Sequence, residues 1–440
     1  MTKIALVGAG GYEFPLRLMN DFLAFPSLQD AAYALMDIDP AALTRADRLI
    51  RRLVQARRVP ARVEPTTDLR KALSGADFVV TCFQAGGREA YAHDMEIPRR
   101  YGIDQTVGDT LGPGGVFRGL RSMRALDDVV RVMAEHCPDA LLLNYANPMS
   151  VNCWFASAAG ARTAGLCHSV RHTADELAAI LGYRPGDYSF RAAGINHQAW
   201  MLEFRHRGVD VRAELAAAVN AYRRGDREPA EPIDEWYAGG REAVRTEILN
   251  LTGHFPTESS HHASEYYPHF RRTPGDVTAY LPRRWDYLEI TRAQTDTDQE
   301  LLAERLAAGE PEAGEEYAAW IADSIVTDTP RTVYGNVPNT GLITNLPDGC
   351  CVEVPCLVDG SGVQPTHIGR LPSACAGINL ASIGLQGCVV DAYRQRSRDL
   401  VYAAVSLDRL TGSLLGLDQI RAMTDELIEA ERPWLPDFGG

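Results

Sequence analysis

The chain opens with an apolar run at residues 4–7 that passes directly into Gly8-Ala9-Gly10-Gly11, followed by an amphipathic stretch from about Phe14 to Phe25 with apolar residues at helical spacing. A strand that ends in glycines and feeds a helix leaves few options for what comes next. It has to be paired by further strands whose connections cross over through helices. The following segments supply them. Residues 32–36 read as a strand closed by Asp37-Ile38-Asp39-Pro40, and residues 41–54 as a helix that Pro40 can start. Residues 77–83, 140–144 and 162–166 read as further strands. Strands separated by helix-length segments predict an α/β fold, a Rossmann-type doubly wound parallel sheet with helices on both faces, over residues 1–195.

The second half is less regular. Residues 188–195 and 199–204 read as strands, residues 310–325 and 389–404 as helices, and residues 353–358 with Asp359-Gly360-Ser361-Gly362 and Val363 as a hairpin. The polar stretches 229–232 and 309–314 read as connectors. Residues 196–440 are therefore expected to form a mixed α+β domain packed on the first, a plan of the lactate/malate dehydrogenase type. At 440 residues the chain is long enough for two or three domains at roughly 150 residues each.

Composition excludes several chemistries. Lys+Arg is 44 against Asp+Glu 58, a net charge of -14, which is the wrong sign for a nucleic-acid backbone binder. Only two lysines occur, Lys3 and Lys71, so there is no P-loop lysine and no good Schiff-base candidate. No apolar run approaches the ~18 residues of a membrane span, and the N-terminus lacks the features of a signal peptide. The nine cysteines include no C-x-x-C pair, and with no export signal they point to reduced thiols and a cytoplasmic location.

Gly8-x-Gly10 between a strand and a helix is the setting a dinucleotide pyrophosphate requires: a tight turn, close backbone approach and a helix N-terminus facing the anion. The third glycine of the usual G-x-G-x-x-G pattern is replaced by Glu13. Asp37, 27 residues beyond Gly10 at the end of the second strand, can accept hydrogen bonds from the adenosine ribose and repels a 2′-phosphate, which favours NAD over NADP. The alternative is a glycine turn and a helix-capping Asp without ligand. Phe14 and Gln84, beside neighbouring strand ends, join Gly8, Gly10, Asp37 and Asn147 as candidate dinucleotide contacts.

Four further segments carry polar groups. They are the glycine-rich run from Gln105 to Gly115 with Asp109 in it, Asn144-Tyr145-Ala146-Asn147-Pro148-Met149, Gly165-Leu166-Cys167-His168-Ser169-Val170, and Gly194-Ile195-Asn196-His197. Three of them follow strands, and ligands of open α/β sheets bind at the carboxyl ends of strands. Cys167 and His197, 30 residues apart, offer a thiolate and an imidazole suited to a divalent metal. A buried thiol and a hydrogen-bonded core histidine are the plainer alternative.

Taken in order, these motifs, with Met36-Asp37-Ile38-Asp39, Ser264-Glu265-Tyr266-Tyr267-Pro268 and Asn336-Val337-Pro338-Asn339, resemble the NAD-dependent glycoside hydrolases of family 4 over nearly the whole chain. That family is an exception to the two-carboxylate rule for glycosidases. The resemblance implies NAD as cofactor, oxidation of the sugar at C3, removal of the acidified C2 proton, elimination of the C1 aglycone, water addition and re-reduction. It implies a divalent metal, usually Mn²⁺, on Cys167 and His197, and Tyr266 as the base. A free phenol with a pKa near ~10 needs a neighbouring cation or metal for that task. His168 and Asp109 are the further catalytic candidates, and Asn147, Asn196 and His168 the candidate substrate contacts. Asp109 is equally readable as a loop cap. His262 and Glu265, three apart, are a weaker candidate metal pair. Dimers or tetramers are expected. The chain departs from the family at Gly11 and Pro15, where Ser and Thr are usual, and at Arg171-His172.

Members acting on phosphorylated sugars typically carry Asn or Asp after the metal cysteine, whereas Cys167-His168-Ser169-Val170 is similar to the α-galactosidase type. An unphosphorylated α-galactoside is thus the expected substrate, with α-glucosides, α-glucuronides and α-galacturonides as alternatives. A lactate/malate-type dehydrogenase would want an Asp three residues before an Arg, where this chain has His168 and Arg171. A catalytically inactive sensor of NAD or sugar is the remaining reading from another class.

Overall fold

The structure is a computed structural model that describes residues 1–283, 285–309, 314 and 316–438. Among the described residues twelve strands join one sheet: β1 (Lys3–Val7), β2 (Ala32–Met36), β3 (Arg62–Thr66), β4 (Phe78–Thr81), β5 (Leu141–Asn144), β6 (Thr163–Leu166), β7 (Tyr188–Ile195), β8 (Gln198–His206), β9 (Val209–Asp210), β10 (Arg331–Pro338), β11 (Cys351–Asp359) and β12 (Gly362–Pro365). The order is β3-β2-β1-β4-β5-β6-β10-β11-β7-β8-β9, with β12 on β11. From β3 to β6 every pairing is parallel. This is the doubly wound order, and its direction reverses between β1 and β4, which opens a crevice at their carboxyl ends.

The parallel half forms because its central strands are buried along their length. β2, β4, β5 and β6 have no exposed residue, so both faces need helices, and the helix-length connections provide them. Local chemistry sets the joints. Asp39 accepts from the amides of Ala41 and Ala42 and starts the helix Pro40–Arg57 with proline in its first turn. β3 is hard to read in sequence because only Val63 is buried and Pro65 interrupts it, which only an edge strand tolerates.

The antiparallel half continues the same sheet. β10, which sequence periodicity does not reveal, pairs with β6 through Gly335 and Asn336 and with β11 along its whole length. β7 and β8 form a hairpin next to β11. Two helix expectations need correction. The stretch 389–404 is two helices, Ser373–Gln395 and Arg398–Leu407, because Arg396 turns left-handed (φ +53) and Ser397 caps the next helix at the Leu400 amide. The helix expected over 310–325 begins at Tyr317, and residues 310–313 and 315 of that stretch lie outside the described residues.

The reading that nothing in the chain approaches a membrane span also needs refinement. The helix Ser373–Gln395 is long and apolar enough by length and composition, with half of its apolar window buried in the fold. Its buried face carries Asn379 and Ser382, which bond to the backbone and side chain of Gln198 on β8. Such polar tethers suit a core helix.

Candidate active site

The carboxyl ends of β1, β2, β4, β5 and β6 open into one cleft of about 2020 Å³. That exceeds the ~300–1,000 Å³ of a typical small-ligand pocket and leaves room for a dinucleotide beside a sugar. Gly8, Gly10, Phe14, Asp37, Gln84 and Asn147 all line it, together with Asp109, Cys167, His168 and His197.

At the glycine turn, Gly8 has φ +95, and a Cβ there would lie 2.7 Å from the Phe83 amide nitrogen. A Cβ on Gly10 would lie 2.7 Å from both Asp37 Oδ2 and the Ala42 methyl. Both positions thus require glycine. Asp37 does two things. Its Oδ2 accepts from the Gly10 amide (2.8 Å) and its Oδ1 from the Asp39 amide (3.0 Å), while its carboxylate still faces the cleft. Phe14 packs edge-on against Tyr145, their centroids 4.7 Å apart. Gln84 bonds the Gly87 carbonyl and receives Arg118 Nη2. The Nε and Nη1 of Arg118 are buried and find no hydrogen-bond partner among the described residues.

Farther along the cleft, the tight β7–β8 turn holds His197 in the left-handed region (φ +61). Its Nε2 lies 3.5 Å from Cys167 Sγ and 3.5 Å from Glu258 Oε2. Glu258 is left-handed too (φ +73) and leads, through the Ser259 cap, into the short helix Ser260–Glu265. Its Oε1 lies 3.2 Å from His262 Nδ1, and His262 Nε2 lies 3.5 Å from Asp109 Oδ1. Asn147 Nδ2 donates to Asp109 Oδ2 (2.8 Å) and the Thr110 hydroxyl to Oδ1 (2.7 Å). Buried Arg245 supports the far side, donating to the Glu258 carbonyl and pairing with Glu176 and Glu242.

The electrostatics separate the two histidines. Burial alone would raise Asp109 and Glu258, but the facing imidazoles outweigh it and hold both carboxyls well below the usual range. His262, between the two carboxylates, overcomes burial and is pushed well above its ordinary value. Burial brings His197 down to about 4, so it is neutral at pH 7, as a metal ligand must be. Burial, then Glu258 and Glu353, push the Cys167 thiol well up, and burial with Asp109, Glu265 and Glu258 does the same to Tyr266. The groups that would have to ionise thus sit in surplus negative charge.

Two triads bring their ligand atoms within 4.8 Å of one another: Cys167, His197 and Glu258, and Asp109, His197 and His262. One thiol, one neutral imidazole and one carboxylate suit a borderline divalent cation. The negative surroundings favour it as well. The residues present therefore fit a metal.

The remaining candidates are placed as follows. The Tyr266 ring is buried and is not among the residues lining the cleft, but its hydroxyl reaches His197 Nδ1 (3.4 Å). His168 is half-buried at the cleft wall and faces Glu316 at 3.3 Å. Asn196 is not among the residues lining the cleft. It is buried behind it, next to the Glu353 carboxyl. His262 and Glu265 do not form a metal pair, because Glu265 points away into the loop at residues 105–108. Sequence reading missed Glu258, although its position four residues before His262 was a visible signal.

The sequence matches the models of "Family 4 glycosyl hydrolase" over residues 3–183 and of "Family 4 glycosyl hydrolase C-terminal domain" over residues 192–411. It is 36% identical to an alpha-galactosidase of Rhizobium meliloti (strain 1021), covering 99% of this chain and 89% of that protein. It is 34% identical to an alpha-galactosidase of Bacillus subtilis (strain 168), covering 100% of both. In fold it is similar to a 6-phospho-alpha-glucosidase from gut microorganisms, solved in complex with NAD and glucose-6-phosphate (TM-score 0.83, 22% identity, 99% of each chain). A second structure by that name, in complex with NAD and Mn²⁺, gives a TM-score of 0.80 at 21% identity, again over 99% of each chain. With matches that span both halves of the sheet, the chain belongs to family 4 of the glycosyl hydrolases.

Proposed function

We propose that this glycosidase hydrolyses an unphosphorylated α-galactoside with the help of NAD and a divalent metal, Mn²⁺ being the first choice. The observation that carries the reading is the juxtaposition of Cys167, His197 and Glu258 in a cleft that also contains the Gly8–Gly10 turn and Asp37. The sugar assignment rests on Cys167-His168-Ser169-Val170 and on two full-length relatives named alpha-galactosidase. On this reading residues 1–195 hold the dinucleotide, residues 196–440 complete the catalytic and oligomerisation part, and the enzyme works in the cytoplasm as a homodimer or homotetramer.

When bound, the nicotinamide would accept and return hydride at the sugar's C3, and the cation held by Cys167, His197 and Glu258 would polarise the C2 and C3 oxygens. The chain's own groups do the rest. Tyr266 takes the C2 proton, which releases the C1 aglycone by elimination; water then adds at C1, and Tyr266 returns a proton to C2 before the ketone is reduced. His197 Nδ1 and the Thr110 hydroxyl lie 3.1 Å apart, and Tyr266 reaches the same nitrogen, so the phenol is oriented. Asp109, kept ionised beside His262, accepts a sugar hydroxyl, and Asn147 holds it in place. His168, at the wall of the cleft, assists the departing oxygen.

The test is cleavage of a nitrophenyl α-galactoside by purified protein with NAD and Mn²⁺, in D₂O. Solvent deuterium should enter at C2 and no NADH should accumulate. Activity on a uronide or glucoside panel instead would change the sugar, and full activity after complete removal of NAD would defeat the mechanism.

A further inference from the structure

Glu265 is 2% exposed, and both oxygens of its carboxylate are turned into the loop at residues 105–108 rather than toward the cleft. Yet its carboxylate accepts five hydrogen bonds from one loop. Oε1 receives the Thr106 amide (2.6 Å), the Val107 amide (2.7 Å) and the Thr106 hydroxyl (3.1 Å). Oε2 receives the Gly108 amide (2.9 Å) and Gln105 Nε2 (3.1 Å). Three successive amides converging on one anion form a nest that closes only around a carboxylate-sized group.

The contacts extend to both ends of the loop. Gln105 Nε2 also donates to the Leu111 carbonyl (3.2 Å). Arg271 donates to the Thr106 hydroxyl (2.9 Å), to the Asp104 carbonyl (3.1 Å) and to Ser264 Oγ (2.8 Å), which joins the loop to the segment that precedes Tyr266. The residue after the nest is Asp109, and the residue after Glu265 is Tyr266.

We propose that Glu265 is a positioning residue that locks the loop carrying Asp109 in register with the segment carrying Tyr266. This rests on the glycosidase reading for the roles of those two groups, but the clamp itself can be tested without it. An ionised carboxylate is acceptor-only at both oxygens, so it matches five donors. In Glu265→Gln one oxygen becomes an NH₂ facing two donors at the Oε2 position or three at the Oε1 position. The loop then loses its register at almost unchanged volume.

The experiment uses the full chain. Amide hydrogen exchange over residues 104–111, read by mass spectrometry without ligands, should accelerate about tenfold or more in Glu265→Gln, and less in Thr106→Val, which removes one donor. With NAD, Mn²⁺ and nitrophenyl α-galactoside, kcat should fall about 10–100-fold in Glu265→Gln while KM stays within about threefold, and the isotope effect from C2 deuteration should rise. Wild-type exchange rates in the variant would overturn the clamp, and a loosened loop with unchanged kcat would overturn its positioning role. If Glu265→Gln does not fold, Thr106→Val decides by the same two readouts. A wild-type enzyme inactive on every α-galactoside would refute the sugar assignment alone, and the exchange measurement would still decide the clamp.

Discussion

His197 and Glu258 face each other at 3.5 Å, and both hold the left-handed backbone conformation, φ +61 and +73. Non-glycine residues adopt that region at a cost of about 1–3 kcal/mol each, and it persists where surrounding structure over-determines it. Here the β7–β8 turn does so for His197, and Arg245 on its carbonyl does so for Glu258.

Glu258→Gln removes the anionic ligand of the proposed set and should lower Mn²⁺ affinity by more than the about 10–100-fold typical of losing an outer-shell partner. Cys167→Ser should do at least as much. Equilibrium dialysis with metal analysis measures both, and NAD binding serves as the control. Unchanged Mn²⁺ affinity in both variants would remove the proposed metal set.

Gly10→Ala should weaken NAD binding by about tenfold or more without unfolding the protein. The added methyl must displace Asp37 or Ala42, which it would meet at 2.7 Å, and it closes the approach that the pyrophosphate needs. Titration calorimetry gives the dissociation constant. An affinity equal to wild type would place the dinucleotide elsewhere.

Glu353 is fully buried behind Cys167, and burial pushes its carboxyl up to about 8, reinforced by Glu258 and opposed by Asn336 and Asn196. The folded value is raised above the unfolded 4.5, so between pH 4.5 and 8 the folded state keeps a proton that the unfolded state has lost. Stability from this group is thus full below about pH 4.5, declines as pH rises to about 8 and stays level above it, a change on the order of 5 kcal/mol. In metal-free protein, the Tm of Glu353→Gln relative to wild type should rise from pH 5 to pH 8 and then plateau. A difference independent of pH would show that the carboxyl titrates normally.

Arg121 is wholly buried between Asp94, which it engages with both terminal nitrogens, and Glu431 of the helix Leu417–Glu431. Arg121→Met leaves two carboxyls without their cation and should cost about 3–5 kcal/mol. Denaturant unfolding followed by circular dichroism would measure it. A loss below about 1 kcal/mol would mean that water reaches the cluster.

Sequence alone determined the parallel half and the glycine turn at the head of the cleft. Apolar runs of strand length alternate there with helical periodicity, and glycine at positions 8 and 10 with Asp37 is a local pattern, because a turn, its cap and its strand are neighbours along the chain. Cys167, His197, Asp109 and Tyr266 were likewise visible as types at strand ends and in motifs. What only the tertiary structure decided is who meets whom. β10 returns from residue 331 to pair with β6, and the β7–β8 turn brings His197 against a cysteine 30 residues away. Asn196, one residue from His197, lies instead behind the cleft beside Glu353, since the two form the tight β7–β8 turn and the left-handed backbone at His197 directs their side chains apart. Glu265 looked like a possible metal ligand beside His262, and became a clamp because three amides 157 to 159 residues away converge on it. Side-chain types are written in the sequence. Their partners depend on pairing between distant strands and on competition among nearby donors, and folding settles both.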